Sequence, residues 1–151
     1  MSSQSMTELT RATSQDAGLI RDLVCAAYAK WIPVIGREPM PMQADYERAI
    51  REHQIDMLVI DGTVVALIET MLRPDHLWIE NIAVHPDRQG KGLGRQLLAH
   101  AERKAAAAGC SEIRLLTSAA FETNVMLYEK AGYVIDKQES FMGRTTVYMS
   151  K

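Results

Sequence analysis

The sequence predicts an α/β fold in which antiparallel hairpins lead into a strand–loop–helix–strand unit. Three observations predict it. Apolar residues recur at helical spacing in "SQDAGLIRDLVCAAYAKWI" and again in "GRQLLAHAERKAAAAG". Asp61-Gly62 separates two β-rich runs, the strongest short-range hairpin signal in the chain. Finally, three alternating glycines, Gly90, Gly92 and Gly94, stand between a β-rich run and the second of the two helical patterns.

In chain order, the first helix carries Leu19, Ile20, Leu23, Val24 and Ala27 on one face, with Thr13 and Asp16 as a helix-start pair. "GREPMPM", residues 36–42, is a proline-broken loop. "QADYERAIREH" is a second helix, with Tyr46 and Ile50 four apart. "DMLVI" and "TVVALIET" form the hairpin, and "HLWIENIAV" is a third strand, closed by Pro86. After the glycines, a helix places Leu93, Leu97, Leu98, Ala101, Ala105 and Ala108 on one face and stops at Gly109. "EIRLLT" is a strand, "TNVMLYEKAG" a short helix ended by Gly132, and "YVIDKQES" and "TTVYMS" a final strand pair.

Composition narrows the function classes. With 151 residues and no repeat, linker or low-complexity tract, the expectation is one domain, residues 1–151. A net charge of −2 gives no basic footprint, so no nucleic-acid partner is expected. Neither Cys25 nor Cys110 has partners in sequence for a disulfide or metal framework, and each is expected to be a small buried apolar residue. The histidines His53, His76, His85 and His100 lack ligand spacing, so no metal is expected. The opening "MSSQSMTELTRAT" has no basic-then-apolar signal pattern, and no apolar run reaches membrane-spanning length. The expectation is a cytoplasmic protein with no membrane association.

The glycine loop, "HPDRQGKGLGRQLL", carries the chemistry. Glycines between a strand and a helix let the backbone approach a ligand closely, and the first-turn N–H groups of the helix favour an anion. A phosphate or pyrophosphate is the natural guest; the alternative is a tight turn that binds nothing. A dinucleotide fingerprint fails because the third glycine position, counted from Gly90, is Arg95. A P-loop fails because Gly92 follows Lys91 where a hydroxyl should hold magnesium. What remains is Gln89-Gly90-Lys91-Gly92-Leu93-Gly94, a [RQ]-x-x-G-x-G pattern.

That pattern, with "IENIAVHPDRQGKGLGRQLL" around it and "NVMLYEKAGY" downstream, resembles the GCN5-related N-acetyltransferase (GNAT) superfamily. The close resemblance runs from Leu77 to Tyr133; the residues before it match in element order. It implies a mixed, mostly antiparallel central sheet flanked by helices, and acetyl-CoA as co-substrate. It further implies that backbone N–H groups of Gly90 to Arg95 hold the pyrophosphate, with Gln89, Leu93 and Gly94 in the same segment. Lys91 and Arg95 are either added charge for that anion or solvated helix-start residues. The pantetheine arm would run beside Ile82, Ala83 and Val84, and a backbone N–H there, that of Ile82, would polarise the thioester carbonyl. By the same resemblance Asn124 contacts the cofactor arm and Tyr128 protonates the departing thiolate, its other reading being a core aromatic of an amphipathic helix; Tyr133 is a packing aromatic.

An acceptor amine has an ordinary pKa of about 10.4, so a base must remove a proton before it can attack. Glu80 is the first candidate. It lies two residues before Ile82 on a mostly apolar strand, and unbroken alternation would put Glu80, Ile82 and Val84 on one face. Its other reading is a satisfied structural carboxylate, and Glu69 is the reserve base. No residue looks like a covalent acyl carrier, which favours direct attack in a ternary complex. Acceptor identity falls to "WIPVIGREPMPMQADY", where Trp31, Met40, Met42 and Tyr46 would wall a pocket and Glu38 and Asp45 would attract a cation. The same residues read equally well as packing and a solvated face, so the sequence leaves the amine open between small molecule and protein. The superfamily suggests a homodimer. Two further readings are a non-catalytic acyl-CoA-binding sensor, which would need neither Glu80 nor Tyr128, and an enzyme for longer acyl chains.

Overall fold

A computed structural model describes residues 7–151; the start of the opening segment read for a leader pattern, residues 1–6, lies outside them. Seven strands form one sheet in the order β1-β2-β3-β4-β5-β7-β6. The strands are β1 (Thr7–Arg11), β2 (Gln54–Ile60), β3 (Thr63–Leu72), β4 (His76–Val84), β5 (Glu112–Ser118), β6 (Val134–Phe141) and β7 (Arg144–Ser150). Every neighbouring pair is antiparallel except β4 and β5. The helices are α1 (Ala17–Tyr28), the single turn α2 (Ile32–Ile35), α3 (Tyr46–Glu52), α4 (Leu93–Ala107) and α5 (Glu122–Lys130). This is the mixed, mostly antiparallel sheet flanked by helices that the sequence predicts.

Local chemistry sets most element boundaries as expected. Asp61 and Gly62 both take positive φ, 50° and 81°, the pair of left-handed residues a tight two-residue hairpin needs. Thr13 N–H donates to the Asp16 carboxylate at 2.8 Å, closing the expected helix-start pair. Leu93, Leu97, Leu98, Ala101 and Ala105 are buried along α4, whereas Ala108 lies one residue past its end and is exposed. On α1, Ile20, Leu23, Val24 and Ala27 are buried, but Leu19 is 45% exposed because it sits at the edge of the apolar stripe. Strand β1 is not announced by the sequence: "TELTR" is short and exposed throughout, and it forms by pairing with β2.

Two apolar clusters sandwich the sheet. One joins α4 and Tyr128 of α5 to residues of β2 to β5 and β7. The other joins α1, α3 and Trp31 to Ile55, Met57, Leu67 and Ala83. Cys25 and Cys110 are half-buried and unpaired, less enclosed than expected.

Two irregularities in the middle of the sheet create the site. β4 and β5 pair only from His76–Glu112 to Ile79–Leu115, although both strands continue beyond. Past Ile79 they no longer hydrogen-bond, and the sheet opens between them. At the same level the β3–β4 register slips: Glu69 faces Asn81 while Thr70 faces Ile79, leaving Glu80 as the extra residue of a β-bulge.

Candidate active site

The bulge corrects the expectation that Glu80, Ile82 and Val84 share one face. Because Glu80 is an inserted residue, the alternation restarts after it. Leu77, Ile79 and Ile82 point into the α4 cluster, and Ala83 points into the α1 cluster. Glu80 itself is exposed at the bulge.

The register also decides which backbone groups are free. His85 N–H donates to the Val65 carbonyl at 2.8 Å, which gives His85 and Val65 the phase of a hydrogen-bonded antiparallel pair. Counting back by two through Ala83–Leu67 and Asn81–Glu69, these residues spend their backbone groups on β3. Ile82 and Val84 therefore turn their N–H and C=O groups the other way, into the opening beside β5. Of the three strand residues implied for the cofactor arm, Ala83 thus offers no backbone group to the opening. Both outward carbonyls already have donors: the Tyr28 hydroxyl lies 3.2 Å from Ile82 O, and Gln89 Nε2 lies 3.0 Å from Val84 O. The two N–H groups are what the opening offers a ligand.

The glycine loop lies at the end of this opening. After Val84 comes a 3₁₀ turn, Pro86–Arg88, and then Gln89, whose side chain bridges Val84 O and Lys30 Nζ (2.7 Å). Gly90 and Gly92 have φ of 77° and 81°, and Gly92 is the N-cap of α4. A Cβ built on either would meet no atom within 4 Å, so both face open space. The first i→i−4 bond of the helix runs from Gln96 N–H to Gly92 O at 3.1 Å, which leaves the N–H groups of Leu93, Gly94 and Arg95 without helical partners. Leu93 is buried beneath them, while Lys91 and Arg95 are exposed. Gly94 serves packing: a Cβ there would lie 2.9 Å from Leu127 Cδ2, so a larger residue would require the Leu127 side chain to shift.

Across the opening, Asn124 and Tyr128 lie one turn apart on α5, Asn124 half-buried and Tyr128 buried in the same cluster as Ile82. Burial pushes the Tyr128 hydroxyl well above the ordinary tyrosine range, so it stays protonated at every physiological pH. Tyr133 packs against Tyr128 with ring centroids 6.0 Å apart, and its buried hydroxyl has no hydrogen-bond partner.

The opposite wall joins Trp31, Tyr46 and Glu69, which the sequence singles out, to Tyr28, Asn81 and Phe121, which it does not. Tyr28 stands edge-on to Phe121 at 6.2 Å, and Trp31 stacks on the same ring at 4.9 Å. The end of α1 is thereby tied across the opening to the start of α5. Buried Asn81, next to the bulge, accepts from the Tyr28 hydroxyl at 2.7 Å, and its amide lies 3.4 Å from the Tyr46 hydroxyl. The Tyr46 hydroxyl donates in turn to Pro41 O at 2.5 Å. Glu69, only 4% exposed, holds His53 Nδ1 at 2.6 Å. Burial raises the Glu69 carboxyl and the Glu80 charge adds to the rise, against the opposing hydrogen bond from His53. The two candidate bases are therefore electrostatic neighbours. Of the other acceptor-side residues, Trp31 and Tyr46 are buried, Met42 is half-buried, and Met40 and Glu38 are exposed. Asp45 caps α3, accepting from Arg48 N–H at 3.2 Å. Among the described residues no group of His, Cys, Asp and Glu side chains is arranged to hold a metal, and no helix is long and apolar enough to cross a membrane.

Comparison with known proteins agrees with this geometry. A curated relative, acetyltransferase SG1711 of Sodalis glossinidius, is 29% identical over 66 residues, which is 44% of this chain and 46% of that protein's length. The N-acetyltransferase PaiA of Thermoplasma acidophilum, solved in complex with coenzyme A, superposes with a TM-score of 0.83 at 16% identity, over 97% of this chain and 98% of that one. The ribosomal-protein-S18-alanine N-acetyltransferase of Escherichia coli superposes with a TM-score of 0.77 at 21% identity, over 96% and 92%. The model of the acetyltransferase (GNAT) family matches residues 20–133, from α1 through the glycine loop to the end of α5, and the chain belongs to that family.

Proposed function

We propose that the protein is an acetyl-CoA-dependent N-acetyltransferase that moves an acetyl group to a primary amine by direct attack in a ternary complex. One observation carries the reading: the N–H groups of Leu93 to Arg95 stand unpaired at the start of the helix that follows β4, and on β4 itself Ile82 and Val84 turn their N–H groups to the side that β5 has left. A pyrophosphate needs the first set, and a thioester carbonyl beyond a pantetheine arm needs the second. The residues fit the co-substrate, because Gly90 and Gly92 leave room where side chains would stand. Gln89, Lys91 and Asn124 complete its cradle.

In the reaction, the amine nitrogen forms a bond to the thioester carbonyl carbon while the Ile82 N–H receives the developing negative charge on oxygen. Glu80 takes a proton from the amine, directly or through water; its exposure at the bulge suits a group that must exchange that proton with solvent. As the carbon–sulfur bond breaks, the Tyr128 hydroxyl protonates the departing thiolate and is later reprotonated from solvent. Burial keeps that hydroxyl in its proton-bearing form.

The test is calorimetric titration with acetyl-CoA, with NAD and ATP as controls, followed by a panel of primary amines. Selective binding of acetyl-CoA and turnover with at least one amine are expected. Equal binding of all three nucleotides would overturn the reading. Tyr128→Phe should then lower kcat on the order of 100-fold with little change in acetyl-CoA affinity, because a general acid acts in the transition state. Unchanged turnover would remove Tyr128 from the mechanism.

A further inference from the structure

The strand segment that presents the Ile82 N–H is supported by the sheet on its β3 side alone, and there beside an irregularity. On one side the bulge interrupts the β3–β4 ladder at Glu80, immediately before Asn81. On the other side β5 has already departed, its last pair with β4 being Ile79–Leu115. The Asn81–Ile82 peptide is thus at a point where the ladder on one side is irregular and the ladder on the other is missing. An oxyanion donor must nonetheless be held in a fixed direction before the substrate arrives, since stabilisation of developing charge relies on donors that need no reorganisation.

The Tyr28 hydroxyl supplies the missing support. It lies 2.7 Å from Asn81 Oδ1 and 3.2 Å from Ile82 O, so one proton is shared between the groups on either side of the Ile82 N–H. Asn81 is held from its other end, its amide directed at the Tyr46 hydroxyl, which donates to Pro41 O. The phenol ring is itself fixed, edge-on to Phe121 and at the last residue of α1. Burial foremost, with the neighbouring Tyr128, keeps the Tyr28 hydroxyl far above the ordinary tyrosine range, so it remains a donor. We infer that Tyr28 and Asn81 are positioning residues that fix the direction of the Ile82 N–H and so set how strongly the thioester carbonyl is polarised. The inference rests on the proposed role of that N–H.

The test reads the carbonyl directly. Acetyl-CoA labelled with carbon-13 at the acetyl carbonyl is bound to the wild type and to Tyr28→Phe, and the carbonyl resonance is compared with that of the free compound. Tyr28→Phe keeps the ring against Phe121 and removes only the hydroxyl. In the wild type the resonance should move downfield on binding. In Tyr28→Phe most of that shift should be lost while acetyl-CoA affinity stays within roughly twofold. With the best amine from the panel, kcat should fall about 10- to 100-fold with KM for acetyl-CoA little changed. Asn81→Ala should act through the same peptide, so the double variant should be no worse than the poorer single one. An unchanged carbonyl shift in Tyr28→Phe, additive losses in the double variant, or a parallel loss of acetyl-CoA affinity would overturn the inference. A wild type that binds acetyl-CoA with no carbonyl shift would overturn the oxyanion role of Ile82 itself, and the inference with it.

Discussion

The two walls of the opening are built in opposite ways. The wall around the glycine loop is contiguous in sequence: Gln89 to Arg95 follow one another, and their proposed role rests on backbone N–H groups and on two glycines at positive φ. The wall that faces it is assembled from α1, α3, β3, β4 and the start of α5, and it works through side chains: Tyr28, Trp31, Tyr46, His53, Glu69, Asn81 and Phe121. A backbone site requires a particular local conformation and therefore leaves a short, spaced signature. A side-chain site requires only that distant residues converge, and many sequences achieve that. The same contrast extends to chemistry. On the proposed reading, the first wall holds the co-substrate through backbone that side-chain changes leave in place, whereas the second can change one side chain at a time and alter the acceptor.

The largest effect separates the two carboxylates of the side-chain wall. Glu80→Gln should lower kcat on the order of 100-fold or more, as loss of a general base does, and should displace the acidic limb of the pH–rate profile. Glu69→Gln should leave most of the turnover and change stability instead. Because burial raises the Glu69 carboxyl, the folded protein binds this proton more tightly than the unfolded chain. Its contribution to stability is therefore full below the ordinary glutamate value of 4.5 and declines as pH climbs through the raised one. Urea denaturation across that range should show a steeper decline in the wild type than in Glu69→Gln. If Glu69→Gln is the variant that loses turnover and Glu80→Gln keeps it, the base is the buried, histidine-bonded carboxylate, and the roles of the two must be exchanged.

The contrast between the walls also governs what the sequence reveals. The Asp61-Gly62 hairpin, α4 with its glycine stop, and the loop between β4 and α4 are legible because each is a local pattern enforced by conformation. The bulge at Glu80 is not, since the adjacent polar residues Glu80 and Asn81 do not by themselves say which is extra, and only pairing with β3 shows that one residue has been inserted. Nor is the opening beside β5, which follows from where two strands part. Asn81 and Tyr28 look like an ordinary strand polar residue and an ordinary helix aromatic until the fold brings them within 2.7 Å. His53 lacks metal-ligand spacing, and nothing in its neighbourhood in sequence points to Glu69, sixteen residues on.

Next in size is a disturbance confined to the backbone wall. Gly92→Val puts a β-branched side chain at φ 81°, a conformation that costs an ordinary residue about 1–2 kcal/mol and that valine resists most. The loop must rearrange, and two N–H groups should cease to face the anion. At about 1.5 kcal/mol or more for each hydrogen bond to a charged group, acetyl-CoA affinity should fall on the order of 100-fold. Calorimetry measures this, and a parallel melt should show that the fold survives with a loss of about the size of the strain. Affinity within a few-fold of wild type would mean that the pyrophosphate is held by Lys91 and Arg95 and that the backbone is incidental.

The smallest effect tests whether the two adjacent tyrosines differ as much as their proposed roles. Tyr128 and Tyr133 share a cluster, both are buried, and burial raises both hydroxyls above the ordinary range. Only Tyr128 lies on the helix that carries Asn124 toward the opening; Tyr133 follows the helix stop at Gly132, and its hydroxyl is buried without a partner. An unsatisfied buried hydroxyl costs about 1–3 kcal/mol relative to one that is paired. Tyr133→Phe removes it while keeping the ring, so the protein should gain about 1 kcal/mol of stability and keep its turnover. Loss of turnover without loss of stability would place the Tyr133 hydroxyl in the proton path and make Tyr128 the packing residue. The gain in stability is thus the signature of a purely structural tyrosine, and its absence beside an active-site one would show that the helix stop at Gly132 does not divide the chemistry from the core.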